Sequence, residues 1–150
     1  MTTFSLKEIE GDLFSASDAF SMCHCVAADM RMGKGIAVKF RNKFGQLAQL
    51  QKQNVQPGGV AILQHQQRYI YNLVTKQSSW GKPTYQLLHS SLSAMRQHML
   101  AHRVTKLALP RIGCGLDGLA WPKVKDMLVD IFEADAVELV VYNYVPVAQK

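Results

Sequence analysis

Short apolar runs that alternate with longer stripes at helical spacing confine this chain to α/β folds. The runs cover residues 4–9, 20–26, 107–109 and 137–144. Their lengths, and the apolar–polar alternation of the first, suit strands. Between them, Ile36, Phe40, Phe44, Leu47 and Leu50 fall on one helical face. Tyr85, Leu88, Leu92, Met95 and Met99 form a second stripe, and Val124, Met127, Leu128, Ile131 and Phe132 a third. Such stripes are what buried helices need, so they predict core rather than a cofactor site. Pro57-Gly58-Gly59 ends the first stripe, Pro83 suits the first turn of the second, and Trp121-Pro122 opens the last. Residues 60–63 and 69–74 flank the polar segment Gln64-His65-Gln66-Gln67, which predicts a hairpin and hence a mixed sheet. Strands alternating with helices give an α/β sandwich.

The length of 150 residues fits one domain over residues 1–150, with a short tail at about 145–150. Apolar residues at 48% and charged residues at 19% exclude a disordered chain. The formal charge of +6 fits either an ordinary basic surface or a polyanionic partner. The basic residues are scattered, so charge alone does not choose between them. Three cysteines, two of them in a C-x-C pair, make neither a disulfide framework nor a zinc site. Reduced thiols point to a nuclear or cytoplasmic compartment. No apolar signal core opens the sequence, and no stretch reaches the ~20 apolar residues of a bilayer span. The expectation is a monomer with no metal, no cofactor and no membrane contact.

In open α/β sheets ligands bind beyond the carboxyl ends of the strands. Two glycine-bearing loops fall there. Met32-Gly33-Lys34-Gly35-Ile36-Ala37 lies between a strand and a helix, where backbone N–H groups can meet a phosphate. It matches no full nucleotide-binding motif, and a structural turn fits it equally well. Pro110-Arg111-Ile112-Gly113-Cys114-Gly115-Leu116-Asp117-Gly118 places three glycines in six residues, the composition of an anion-binding nest. Asp117 stands at its mouth; taken alone it reads as a solvated or helix-capping aspartate. Thr75-Lys76 ends an apolar strand, and Lys76 either faces the same cleft or is one more surface charge. His24 reads as a core histidine. Cys114 suits a tight loop and receives no nucleophilic role.

Together and in order, these segments resemble the macrodomain family. Gly11-Asp12-Leu13-Phe14 looks like its opening motif. His24-Cys25 followed by Arg31-Met32-Gly33-Lys34-Gly35-Ile36-Ala37 looks like its first ligand loop. Lys82-Pro83-Thr84-Tyr85 and the segment from Pro110 to Asp117 complete the pattern. The likeness is greatest to the branch of terminal ADP-ribose protein glycohydrolases, also described as O-acyl-ADP-ribose deacylases. It implies a three-layer α/β/α fold with a mixed central sheet. It also implies that Asp12 accepts a hydrogen bond from the adenine amino group, with Leu13 close to the base and Tyr142 and Tyr144 near adenine and its ribose. The loops at Gly33–Ala37 and Gly113–Leu116 would hold the diphosphate and distal ribose, with Ala27, Met32, Thr75, Pro110 and Ile112 contributing. Lys76 matches the family's nucleophile and Asp117 its acid and base. An amine attacks only when uncharged, whereas an ionised carboxylate at its side favours the charged form, so the two roles pull against each other. Where family members carry serine, this chain has Ala27. A lost hydrogen bond costs ~0.5–1.5 kcal/mol.

Three functions follow as expectations. The first is a hydrolase that frees ADP-ribose from acidic side chains and deacylates O-acyl-ADP-ribose, with ADP-ribosylated proteins as partners. The second is a reader that binds ADP-ribose without turnover, for which Ala27 speaks. The third rests on charge and is a nucleic-acid binder; ADP-ribosylated nucleic acid is also a candidate partner of the first.

Overall fold

Alternation along the central strands sorts their side chains into two cores, one on each face of a single sheet. The computed structural model describes residues 3–144; the expected tail lies outside the described residues. The strands are β1 (Ser5–Glu10), β2 (Ser21–Ala27), β3 (Val60–His65), β4 (Arg68–Lys76), β5 (Lys106–Leu109) and β6 (Glu138–Asn143), in the order β1-β6-β5-β2-β4-β3. Every neighbouring pair is parallel except β3 and β4, the expected hairpin at one edge. The helices are α1 (Ile36–Phe44), α2 (Leu47–Lys52), α3 (Tyr85–Ala101) and α4 (Trp121–Phe132).

Cys23, Tyr71, Leu73, Leu107, Leu109, Leu139 and Val141 pack against the α3 stripe and against Val124, Leu128 and Phe132 of α4. Met22, Val26, Ile70, Val74 and Ala108 turn to the other face and meet Phe40, Phe44 and Leu50 of α1 and α2. The result is the three-layer α/β/α arrangement, with burial of each large apolar side chain worth ~1.5–3 kcal/mol. Thr84 starts α3 by accepting the Leu87 N–H at 3.1 Å. None of the described helices is long and apolar enough to cross a membrane.

One helix of the sequence reading is two in the structure. The stripe from Ile36 to Leu50 is real, but Gly45 (φ +62°) and Gln46 (φ +60°) leave the helical region between α1 and α2. The same core holds both pieces, so apolar spacing carries no sign of the break.

His24 is a core histidine, as expected. Its ring stacks on Phe40 with centroids 3.7 Å apart, and Nε2 lies 2.6 Å from Asn72 Oδ1. Burial lowers its pKa to about 4, so the ring is neutral. Nδ1 has no partner among the described residues.

A bulge shapes the end of β2. Val26 pairs with Val74 but Ala27 pairs with Lys76, leaving Thr75 as the extra residue. Thr75 is fully buried, while Lys76 reaches the edge of the sheet.

Candidate functional site

Because β1, β6, β5, β2 and β4 are parallel, their carboxyl ends share one edge. That edge carries Gly11-Asp12, the end of β6 at Asn143, the glycine loop after β5, the loop between β2 and α1, and Lys76. A cleft of about 810 Å³ opens there. Of the residues expected in the site, it is lined by Ala27, Met32, Gly33, Lys34, Gly35, Ile36, Ala37, Lys76, Pro110, Ile112, Gly113, Cys114, Leu116 and Asp117. Asp12, Leu13, Thr75, Gly115, Tyr142 and Tyr144 are not among its lining residues.

One wall is the start of α1. Gly35 (φ +59°) sits at its N-cap without a side-chain cap, which leaves the first-turn N–H groups open to an anion. The preceding loop is strained: Met30 and Met32 hold φ of +53° and +50°, with both side chains buried. Non-glycine residues in that region cost ~1–3 kcal/mol each and cluster at functional sites. The facing wall is the glycine loop. A methyl group on Gly35 would lie 3.5 Å from Leu116 Cδ1, so the two loops come within contact across the cleft.

The glycine loop folds on itself through Leu119 N–H to Gly113 carbonyl at 2.8 Å, and residues Gly115–Asp117 form a 3-10 turn. Lys82 bonds that turn and Tyr85 the residue that leads from it into α4. Lys82 Nζ donates to the Leu116 carbonyl at 2.8 Å, and Tyr85 Oη accepts the Ala120 N–H at 2.9 Å. Gly113 cannot be replaced freely. It holds φ +72°, and an added Cβ would stand 2.8 Å from Leu119 Cδ1. Leu119 can yield, but the left-handed backbone cannot, so Gly113→Ala is expected to cost ~1–2 kcal/mol of stability. Denaturant unfolding measures it; a loss below 0.3 kcal/mol would show that the loop relaxes at no cost.

At the floor of the cleft, Lys76 Nζ donates to Asp117 Oδ1 at 2.8 Å. Their side chains are 15% and 17% exposed, so the pair is largely withdrawn from water yet reachable from the cleft. The thiols nearby are poor nucleophiles. Burial raises the Cys25 thiol to about 12, with the Asp117 charge adding to it, and burial raises the Cys114 thiol against the pull of Arg111.

A second cluster lies across the sheet, where β1 meets β6. Asp12 Oδ1 accepts the Phe14 N–H at 3.0 Å, which pins the carboxylate and leaves Oδ2 for another donor. Tyr142 lies beside Gly11, 3.9 Å from where a Cβ would stand. Leu13 is only 3% exposed and packs in the α1 core. Tyr144 is exposed, with Lys39 Nζ 5.0 Å from its ring centroid.

Eight further residues line the cleft without having been singled out from sequence as ligand contacts: Cys25, Val26, Arg31, Ser79, Trp80, Gly81, Lys82 and Arg111. Cys25, Arg31, Lys82 and Arg111 stood in the matched motifs. Ser79, Trp80 and Gly81 form a loop with no periodicity, and only the topology brings them to the edge.

The comparisons with known proteins agree with this architecture. The Macro domain family model matches residues 23–128. Over 135 residues the chain is 47% identical to the ADP-ribose glycohydrolase OARD1 of Homo sapiens, covering 90% of this chain and 89% of that protein. It is 33% identical over 149 residues to the DNA ADP-ribosyl glycohydrolase of Thermus aquaticus, covering 92% of this chain and 41% of that longer protein. Its backbone superposes on the macrodomain of Thermus aquaticus DarG with a TM-score of 0.82 at 27% identity, over 95% and 99% of the two chains. With a six-stranded mixed sheet between helical layers and a glycine-walled cleft at its carboxyl edge, the chain belongs to the macrodomain family.

Proposed function

We propose that the chain is a hydrolase that releases ADP-ribose from ester links to acidic side chains and deacylates O-acyl-ADP-ribose. The observation that carries this reading is the Lys76–Asp117 pair, 2.8 Å apart at the floor of a glycine-walled cleft. The 47% identity to a glycohydrolase over nearly the full length supports the same chemistry. On this reading adenine lies at Asp12 and Tyr142 beyond β1 and β6, the diphosphate between the loops at Gly33–Ala37 and Gly113–Leu116, and the distal ribose at Lys76 beyond β4.

Lys76 starts as the ammonium partner of Asp117. It passes a proton to that carboxylate, and the freed Nζ attacks the anomeric carbon of the distal ribose. The bond from that carbon to the ester oxygen breaks, and the carboxylate leaves with the electron pair. Water then displaces Nζ; its proton returns to the amine, and Asp117 gives up its own to solvent. An acyl group on the same oxygen leaves by the same step. The proton transfer within the pair lets the two roles of Asp117 coexist.

The test is release of ADP-ribose from a glutamate-modified protein and of acetate from O-acetyl-ADP-ribose. Stoichiometric binding of ADP-ribose with no release over hours would establish a reader instead. Ala27 lines the cleft and is 7% exposed, so a hydroxyl there meets ligand rather than bulk water. Ala27→Ser is therefore expected to raise kcat/KM about two- to tenfold, the equivalent of ~0.5–1.5 kcal/mol for one hydrogen bond. A change under 1.5-fold in the steady-state assay would mean that nothing is missing at this position.

A further inference from the structure

Phe4, just before β1, and Leu6 within it both pack against the core beneath α3 and α4. Alternation makes Glu8 the next residue on that face. A carboxylate where the pattern calls for an apolar side chain breaks a local rule, and such breaks concentrate at functional or strained sites. Glu8 is well partnered there. Its Oε1 accepts the Trp121 indole N–H at 2.9 Å, and its Oε2 accepts from Lys125 Nζ at 2.8 Å. Arg111 Nη2 lies 3.5 Å from the same Oε1. The Arg111 guanidinium also covers the Trp121 ring, with Cζ 5.6 Å from the centroid. The hydrogen bonds from Lys125 and Trp121 hold the Glu8 carboxyl below its ordinary pKa, so it is ionised at neutral pH.

The places of these partners in the chain give the cluster its meaning. Arg111 enters the glycine loop after β5, Trp121 opens α4, and the segment between them carries Asp117. One carboxylate on β1 therefore clasps both ends of that segment. Lys82 and Tyr85 tie the segment to the start of α3, and Glu8 adds a tie to β1. Partly exposed ion pairs add little stability, so the worth of the cluster lies in position. Of the Lys76–Asp117 pair, Lys76 belongs to a strand paired along its length, whereas Asp117 rides on this segment. Asp117 is thus the half whose place depends on anchors. Neither Glu8, Trp121 nor Lys125 lines the cleft, so none of them acts by touching the ligand.

From this geometry we infer that Glu8 is a positioning residue for Asp117: it fixes both ends of the segment from Arg111 to Trp121 to β1, and so keeps the Asp117 carboxylate within hydrogen-bond reach of Lys76 Nζ. The inference rests on the hydrolase reading and adds to it a residue outside the cleft. The 2.8 Å contact between Nζ and Oδ1 leaves little room for drift, since a shift of ~1 Å takes the pair out of hydrogen-bond range.

In Glu8→Ala, kcat for release of ADP-ribose from a glutamate-modified protein is expected to fall roughly five- to 30-fold, part of the ~10²-fold that a misplacement of ~1 Å costs. KM should stay within about twofold, because the lost placement matters to the reaction and not to binding. Glu8→Gln keeps an acceptor for Trp121 and Lys125 and is expected to recover most of the rate. The deciding measurement is a double-mutant cycle. In an Asp117→Asn background, Glu8→Ala should cost no further rate, since the carboxylate it positions is already gone. Equal losses in both backgrounds would make Glu8 a general stabiliser of the fold and overturn the inference, as would a wild-type kcat in Glu8→Ala. If the wild type releases no ADP-ribose, the hydrolase reading fails and the positioning is read from amide hydrogen exchange instead. The Leu119 N–H, bonded to the Gly113 carbonyl inside the segment, should then exchange at least about threefold faster in Glu8→Ala while the amides of β5 keep their wild-type rates. An unchanged rate at Leu119, or an equal rise along β5, would overturn the inference.

Discussion

Lys76→Ala is expected to lower turnover of a glutamate-linked ADP-ribosyl substrate by at least the ~10²–10⁴-fold typical of losing one group that handles protons, and by more if Nζ forms the covalent bond. Binding of ADP-ribose, measured by calorimetry, should change far less. In the proposed binding mode the glycine loop and the open first turn of α1 hold the diphosphate, and neither depends on this side chain. Lys76→Arg makes the sharper version of the experiment. Arginine keeps the charge and the ion pair with Asp117, so the fold is retained, but its guanidinium does not deprotonate to become a nucleophile. Turnover should therefore be lost in a protein that unfolds at the wild-type temperature. Wild-type rates in either variant would remove Lys76 from the mechanism.

Asp117→Asn tests the other half of the pair. The amide keeps the shape and still accepts a hydrogen bond from Nζ, but it takes no proton. Turnover should fall ~10²–10⁴-fold near neutral pH. It should then climb as pH is raised, because solvent takes over the deprotonation that the proposed mechanism gives to Asp117. The kcat profile of the variant would rise through the alkaline range more steeply than that of the wild type. Parallel profiles would mean that Asp117 only positions Lys76. The 3-10 turn that carries Asp117 is held by Lys82 and Tyr85 through backbone atoms of Leu116 and Ala120, so the substitution leaves its anchorage intact.

The elements were legible in the sequence where burial imposed a period. The stripe from Tyr85 to Met99 became α3, and the run before Lys76 became β4, because one-sided burial writes itself into spacing. The break between α1 and α2 was not legible, since Phe44 and Leu47 serve the same core on either side of it. The cleft was legible as two glycine loops. The burial of Leu13 in the α1 core was not, since a motif position carries no period. Trp80 escaped notice for a related reason. A lone aromatic in a loop has no period, and only the path of the chain after β4 brings it beside Arg31. Thr75 shows how one extra residue misleads. The bulge between Val26 and Ala27 sends Thr75 inward and Lys76 to the edge, a choice that strict alternation does not reveal.

The pairing of the first strand with the last has a consequence for how the protein is made. On the ribosome β1 emerges before the other described strands, and its partner among the described residues, β6, follows all of them. The core of β5, β2, β4 and β3 with α1, α2 and α3 is able to assemble while β1 waits, its backbone unpaired. Contacts of such long sequence separation form late and slowly. The two glycine loops and the Lys76–Asp117 pair therefore precede the edge between β1 and β6, where Gly11 comes beside Tyr142 only once β6 has been made. A chain cut short before β6 would carry the cleft with Lys76 and Asp117 but leave β1 unpaired, and would expose a strand edge to the quality-control machinery of the cell.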